Sequence, residues 1–357
     1  MKVKDFSNIK INYSDSLHRA LEKMTNNNHK LLIVVKESKY YSLLSIGDIQ
    51  RAILQGKDLN VKVENALRTN VKIAYEYDDE DVIKNMMLNN RMEFCPVINS
   101  DSEIVNIFFW EDLFDKKIVH NKSSFNLPVV VMAGGYGTRL RPLTYVIPKP
   151  LVPIGEKTML EEIFEKFSIY GSANFYLSVN YKSELIKFYL QQNNLPYEIE
   201  YFEEETPLGT AGSLTLLKGK INTTFFVTNC DILIEEDYSE ILDFHRKNDN
   251  VITVVAAIKQ MTIPYGIMNI GENGELLSIE EKPNFNFIVN TGFYILEPEI
   301  FDFIPENEIF DLPTLIEEIK KNHRKVGVFP VAENSWTDMG DWAEYSGILK
   351  KKGFNLG

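Results

Sequence analysis

Apolar and polar positions alternate in two different ways along this chain. In residues 1–121 short apolar runs recur with an offset of about 64: Leu31-Leu-Ile-Val-Val35 answers Cys95-Pro-Val-Ile-Asn99, and 42–49 answers 106–113. Ahead of each strand-like run lies a helical periodicity. Leu17, Leu21 and Met24 line one face in the first copy; Val82, Ile83, Met86 and Met87 serve in the second. Acidic capping stretches, Ser14-Asp-Ser16 and Asp78-Asp-Glu-Asp81, precede both helices. The methionines read as core filler. The predicted unit is a short strand, a helix, two strands and a helix, repeated in tandem, an α+β module.

From Leu127 onward the pattern changes to strand, loop and helix throughout. Strands are predicted at 127–133, 174–179, 197–202, 224–227 and 251–258, and helices at 159–167, 182–191 and 237–247. That alternation predicts an α/β domain, Rossmann-like, with a mostly parallel sheet covered on both faces. Ligands of such sheets sit beyond the carboxyl ends of the strands. The polar, aperiodic stretch 115–126 reads as a linker, dividing the chain into domains 1–121 and 122–357.

Charge sharpens this division. The 357 residues carry 38 basic and 51 acidic groups, a net charge of −13. Residues 1–121 contribute 17 basic and 18 acidic groups, so nearly all the excess lies in the second domain. Such a field repels polyanions, which argues against non-specific nucleic-acid or anionic-membrane binding. Any phosphate must be held by a local cluster of donors. Cys95 and Cys230 read as buried free thiols, and no metal-spaced Cys/His set accompanies them. Without an N-terminal apolar segment or a run of about 18 apolar residues, the cytoplasm is the expected compartment.

The chemistry concentrates at predicted strand ends. Met132-Ala-Gly-Gly-Tyr-Gly-Thr-Arg-Leu-Arg-Pro-Leu-Thr144 follows the first strand of the second domain and closes at Pro148-Lys-Pro-Leu-Val-Pro153. Gly134, Gly135 and Gly137 let the backbone approach a nucleotide, and the exposed N–H groups form an anion nest. Arg139 and Lys149 add positive charge for a triphosphate. The loop lacks both the Gly-Lys-Ser/Thr ending of a P-loop and the spacing of a dinucleotide fingerprint. Phe225-Phe-Val-Thr-Asn-Cys-Asp231 and Trp336-Thr-Asp-Met-Gly340 each end in or contain an aspartate. Asp231 and Asp338 could share one Mg²⁺, although Asp231 alone could instead cap the next helix.

Together these motifs resemble the signature of sugar-phosphate nucleotidylyltransferases, over about residues 128–350. The resemblance implies nucleotide contacts from Ala133, Gly134, Gly135, Gly137, Thr138, Gly209 and Thr210, the last two within Pro207-Leu-Gly-Thr-Ala-Gly-Ser213. It assigns catalysis to Arg139 and Lys149, Mg²⁺ to Asp231 and Asp338, and the sugar phosphate to Gly266, Glu281, Lys282 and Asn290. Without it, Glu280-Glu-Lys-Pro283 would read as an exposed charged turn. Cys230 departs from the family, which usually has glycine there. Asp341 is the competing carboxylate, read as a cap or a supporting group. The five histidines, His245 among them, fall outside every motif and read as surface or helix-face residues. The acidic stretches 203–205 and 235–237 read as solvated loop faces.

The repeat in residues 3–118 resembles a pair of cystathionine-β-synthase (CBS) domains. In that family a Ser/Thr-x-x-Asp contacts the ribose of an adenine nucleotide, the carboxylate accepting from both hydroxyls. Ser45-Ile-Gly-Asp48 keeps the motif; Phe109-Trp-Glu-Asp112 keeps only Asp112. A purely structural or dimerising module is the alternative. CBS domains ahead of this catalytic domain resemble glucosamine-1-phosphate guanylyltransferases of bacterial legionaminic acid biosynthesis. The resemblance implies an NTP, with guanine the first choice of base, and a sugar 1-phosphate, leaning to glucosamine 1-phosphate, with pyrophosphate released. Thymidylyl transfer to glucose 1-phosphate, guanylyl transfer to a heptose 1-phosphate, and an adenine-nucleotide sensor with a degenerate transferase domain are the alternatives. A homo-oligomer is expected.

Overall fold

The computed structural model describes residues 6–27, 29–69, 71–90, 92–113, 124–204, 206–351 and 353–354. Two compact units divide the chain. One holds Met1–Asn121 with Ile258–Phe287 and Ala332–Asn334; the other holds Lys122–Ala257, Ile288–Val331 and Ser335–Gly357.

In the first unit the internal repeat becomes two small sheets of the same design. The first copy is β1 (Lys10–Asn12), α1 (Leu17–Asn27), β2 (Leu31–Lys36), β3 (Lys39–Ser45) and α2 (Ile46–Leu54). The second is β4 (Ala74–Tyr75), α3 (Glu80–Asn90), β5 (Phe94–Ile98), β6 (Ile104–Phe109) and α4 (Trp110–Leu113). In each, the first strand runs parallel to the second and the third returns antiparallel. Helix α1 buries Leu17, Ala20, Leu21 and Met24, an i, i+3, i+4, i+7 stripe facing one core. The predicted face of α3 needs one correction. Ile83 and Met87 are buried, but Val82 is exposed, because neighbouring helical positions point about 100° apart.

The second unit follows in chain order with β7 (Val129–Met132), β8 (Pro153–Ile154), β9 (Lys157–Thr158), α5 (Met159–Ser168), β10 (Asn174–Val179) and α6 (Ser183–Gln192). Next come β11 (Glu198–Glu203), α7 (Gly209–Gly212), β12 (Phe225–Asn229), β13 (Ile232–Ile234), α8 (Tyr238–Lys247) and β14 (Ile252–Thr262). The hairpin β15 (Ile267–Ile270) and β16 (Leu276–Glu280) belongs to the first unit. The chain ends with β17 (Asn284–Leu296), α9 (Leu312–Lys321), β18 (Val326–Ala332), β19 (Trp336–Asp338) and α10 (Trp342–Lys351).

Seven strands form the main sheet in the order β11-β10-β7-β12-β17-β14-β18. The first four are mutually parallel, as the alternation predicts, and β17 runs against β12. Adjacent residues of β7 enter opposite cores. Val129 and Val131 pack with Leu160, Phe164 and Phe167 of α5 and Ile241 of α8, whereas Val130 packs with Leu312, Leu315 and Ile319 of α9. Both faces are therefore covered, each large apolar side chain contributing about 1.5–3 kcal/mol. Thr158 and Glu161 form a capping box that starts α5, with Glu161 N donating to Thr158 Oγ1 at 3.2 Å. No helix among the described residues is long and apolar enough to cross a membrane.

Candidate active site

Three elements of the second unit carry the candidate residues to one place. Val129–Met132 ends in the glycine loop, where Ala133 N donates to Ser178 O at 2.9 Å. Gly137 turns with φ of 62°, and Thr144 Oγ1 donates to its carbonyl at 2.8 Å. A Cβ on Gly137 would lie 2.9 Å from Thr144 Cγ2 and 3.0 Å from Lys149 Cβ. Glycine at this point thus brings the loop down onto the Lys149 segment. Thr138 and Arg139 follow in a 3₁₀ turn.

Asp231 leaves the end of β12, and β13 then pairs antiparallel with β19, Ile232 opposite Asp338. That register sets the two aspartates side by side, with Met339 N donating to Asp231 O at 2.8 Å. Lys149 Nζ donates to Asp231 Oδ2. Arg139 reaches Asp338 Oδ2 at 3.5 Å and Asp231 Oδ2 at 3.9 Å, its side chain 58% exposed. Gly340 lies among them. A Cβ there would stand 2.3 Å from Asp231 Oδ2, 2.7 Å from Lys149 Nζ and 2.9 Å from Asp338 Oδ1. Sequence reasoning assigns this glycine no role; its place two residues after Asp338 is the available signal.

Burial pushes the Asp231 carboxyl above its ordinary value, with Asp338 adding to that shift and the Lys149 ammonium opposing it. The neighbouring Cys230 thiol is pushed up to about 12, mainly by burial. Two carboxylates form the oxygen donor set, and no group of three or more His, Cys, Asp or Glu among the described residues could hold a metal. That set suits Mg²⁺, a hard ion that prefers oxygen donors, and Asp231 and Asp338 would be the residues to hold it. It does not fit a closed structural site.

Thr210 N donates to Asp311 Oδ1 at 3.1 Å, and Thr210 Oγ1 accepts from Leu312 N at 3.0 Å. Gly209 and Thr210 are thus seated against the start of α9. Asn290 Oδ1 accepts from Gly292 N at 3.0 Å, and its Nδ2 donates to Tyr294 OH at 2.6 Å. Asn229, unremarked in the sequence, lies over Gly292, whose φ is 81°. In the first unit, the Glu281 carboxylate lies against Gly266, where a Cβ would come 2.8 Å from its Oε2. Lys282 holds φ of 48°, in the left-handed region that an L residue seldom visits.

The sequence profile of the nucleotidyl transferase family matches residues 128–352. The chain belongs to the nucleotidyl transferase family. The CBS domain profile matches residues 3–55 of this nucleotidyl transferase. It is 35% identical over 227 residues to mannose-1-phosphate guanyltransferase of Saccharomyces cerevisiae, covering 59% of this chain and 60% of that one. The counterpart of the same name in Yarrowia lipolytica is 37% identical over 200 residues, covering 53% of each. The chain therefore spans only part of the length of the curated relatives it matches, between about half and two thirds. Among solved structures, HddC from Yersinia pseudotuberculosis is similar at a TM-score of 0.50 and 27% identity, covering 63% of this chain and 99% of that one.

Other parts of the nucleotidyl transferase take roles the sequence left open. The helix α8 is capped by Asp237, which accepts from Ser239 N at 3.0 Å, so Asp231 is not that cap. One residue of the acidic stretch 235–237 is therefore a helix cap rather than a solvated face. Asp341 accepts from Ala343 N at 2.8 Å at the start of α10, the capping role expected of it. His245 is no surface residue. It is 1% exposed and hydrogen-bonds Thr253 Oγ1 at 2.8 Å and Glu297 Oε1 at 3.0 Å. Ser45 and Asp48 meet as the capping box of α2, and Asp48 also takes Arg51 at 3.0 Å and Arg68 at 3.6 Å. Asp112 lies in α4, with its side chain outside the described residues.

Proposed function

We propose that this nucleotidyl transferase condenses GTP with a hexose 1-phosphate to give a GDP-sugar and pyrophosphate. The observation that carries the reading is the meeting of Arg139, Lys149, Asp231 and Asp338 around Gly340 beyond the ends of parallel strands. A phosphate oxygen of the sugar 1-phosphate attacks the α-phosphorus. The bond from that phosphorus to the α,β-bridging oxygen breaks, and its electron pair leaves with pyrophosphate. The nucleophile is already anionic, so no side chain has to take a proton. Catalysis then rests on position and charge.

Arg139 meets the charge that develops on the departing phosphates, and Lys149 the α-phosphate. Lys282 holds the incoming phosphate, with Glu281, Asn290 and the Gly266 backbone on the sugar. Asp231 and Asp338 would hold Mg²⁺, which supplies charge neutralisation for the leaving pyrophosphate. The names of the curated relatives support guanine, as does Leu208-Gly-Thr-Ala-Gly212. Those names favour mannose 1-phosphate, the order of domains favours glucosamine 1-phosphate, and a hexose 1-phosphate is the class they share. An adenine nucleotide at Ser45 and Asp48, a homo-oligomeric state and a cytoplasmic location belong to the same reading.

Pyrophosphate release from each NTP against mannose, glucosamine, glucose and heptose 1-phosphates tests it. The expected result is release with GTP and a hexose 1-phosphate. Release with TTP alone would replace the base. No release with any pair would favour a nucleotide-sensing role for the CBS module.

A further inference from the structure

The last residues of strand β14 belong to the first unit and pack on helix α1. Ile258, 5% exposed, belongs to the same core cluster as Leu17, Leu21, Met24, Leu32 and Ile49 of the first CBS copy. Two residues on, Gln260 Nε2 donates to Glu22 Oε1 at 2.9 Å and lies 3.1 Å from His18 Nε2. Its backbone N donates to Glu333 Oε2 at 3.4 Å. An apolar side chain and a polar one of the same strand thus hold it to a single helix face.

Just after Gln260 begins the arm that carries Gly266, Glu281 and Lys282. Its base is closed by Ile263 N donating to Pro283 O at 3.0 Å and Thr262 Oγ1 donating to Asn284 Oδ1 at 2.5 Å. Beyond the base, β15 and β16 pair among the described residues only with each other, and Met268, Ile270, Leu277 and Ile279 are all exposed. A two-stranded hairpin with both faces open is marginal by itself in water, so its position is set where it is anchored. The described anchorage immediately before it is the pairing of β14 with β17 and β18, to which Ile258 and Gln260 add their contacts with α1.

We infer that Gln260 is a positioning residue through which helix α1 of the first CBS copy sets the sugar-phosphate arm of the transferase. The inference rests on the assignment of Gly266, Glu281 and Lys282 to the sugar phosphate. It makes the CBS module a direct support of one substrate's site, whatever the module itself binds. Losing the Gln260–Glu22 bond loosens the arm without removing any group that touches the nucleotide.

The test uses the full chain with Gln260→Ala, Glu22→Ala, the double variant and Glu22→Gln, which keeps the accepting oxygen. Loss of one such hydrogen bond corresponds to an effect of about three- to tenfold. KM for the sugar 1-phosphate is expected to rise by that factor in both alanine variants and no further in the double, while kcat and KM for GTP stay within about twofold. Glu22→Gln is expected to match the parent chain. Amide hydrogen exchange over 265–282, read on the same proteins, is expected to quicken in the alanine variants alone. Unchanged exchange overturns the inference, and so does faster exchange with an unchanged KM. Should the parent chain turn over no NTP and sugar pair, the proposed reaction fails while the exchange result still decides the anchoring of the arm.

Discussion

Lys149 and Asp231 meet at one carboxylate oxygen, with the ammonium in the space that glycine at position 340 leaves free. The pair joins residues 82 apart in sequence and rests on two turns at strand ends. Because Asp231 is buried, this ammonium is its main counter-charge in the structure. Arg139, more exposed, stands at the outer edge.

Gly340→Ala tests that geometry. The added Cβ would meet Asp231, Lys149 and Asp338 at side-chain ends, which can move aside, so the fold is retained. Displacing reacting groups by about 1 Å costs about a hundredfold in rate, and that is the expected loss in pyrophosphate release. The check is turnover beside a thermal melt. Wild-type turnover in Gly340→Ala would show that the four charged groups need not converge as described.

Arg139 and Lys149 should separate in stability. Arg139→Ala removes an exposed guanidinium and is expected to change stability by less than about 1 kcal/mol. Lys149→Ala leaves Asp231 buried without its partner and is expected to cost about 3 kcal/mol. Denaturant titration of both variants compares them. Equal, small losses would mean that Asp231 does not depend on Lys149.

Much of this site is legible as residue types at strand ends. The glycine loop, Asp231 and the Trp336-to-Gly340 segment stand where the alternation of strand and helix puts ligand-binding residues. What periodicity does not carry is pairing. That β17 runs against β12, and that β13 and β19 bring Asp231 beside Asp338, are choices of long-range register. The cap of α8 is ambiguous in sequence for a local reason, since Asp231 and Asp237 both precede an apolar run and only backbone geometry separates them. His245 reads as a surface or helix-face group in sequence because its partners, Thr253 and Glu297, lie on other elements. The hairpin 265–282 reads as part of the transferase by motif, yet its contacts place it with the first unit.

Glu297 gives a pH prediction. Burial pushes its carboxyl up, but hydrogen bonds from His245 and Thr224 outweigh that and hold it below its ordinary value. A depressed native value adds stability that is present above the ordinary glutamate range of about 4.3 and lost as pH falls through the native value. Glu297→Gln should therefore show a shallower loss of melting temperature between about pH 5 and 3 than the parent chain. Parallel curves would contradict the assignment.

The cysteines predict chemical silence. Cys95 is pushed up to about 11 and Cys230 to about 12, chiefly by burial, and both are free thiols. The thiolate is the reactive form, so a disulfide reagent at about pH 8 should find neither until the chain unfolds. A rapid equivalent of thiol in the native protein would place one of them at the surface.

The proposed reaction is attack at the α-phosphorus of a nucleotide by a sugar phosphate in the site around Gly340. Following separately labelled α- and γ-phosphorus of GTP in the presence of a hexose 1-phosphate tests it most directly. The expected result is α-label in a GDP-sugar and γ-label in pyrophosphate. Both transfers should fall by about 10²–10³ in Arg139→Ala. Label released as orthophosphate, or equal transfer in Arg139→Ala, would contradict it.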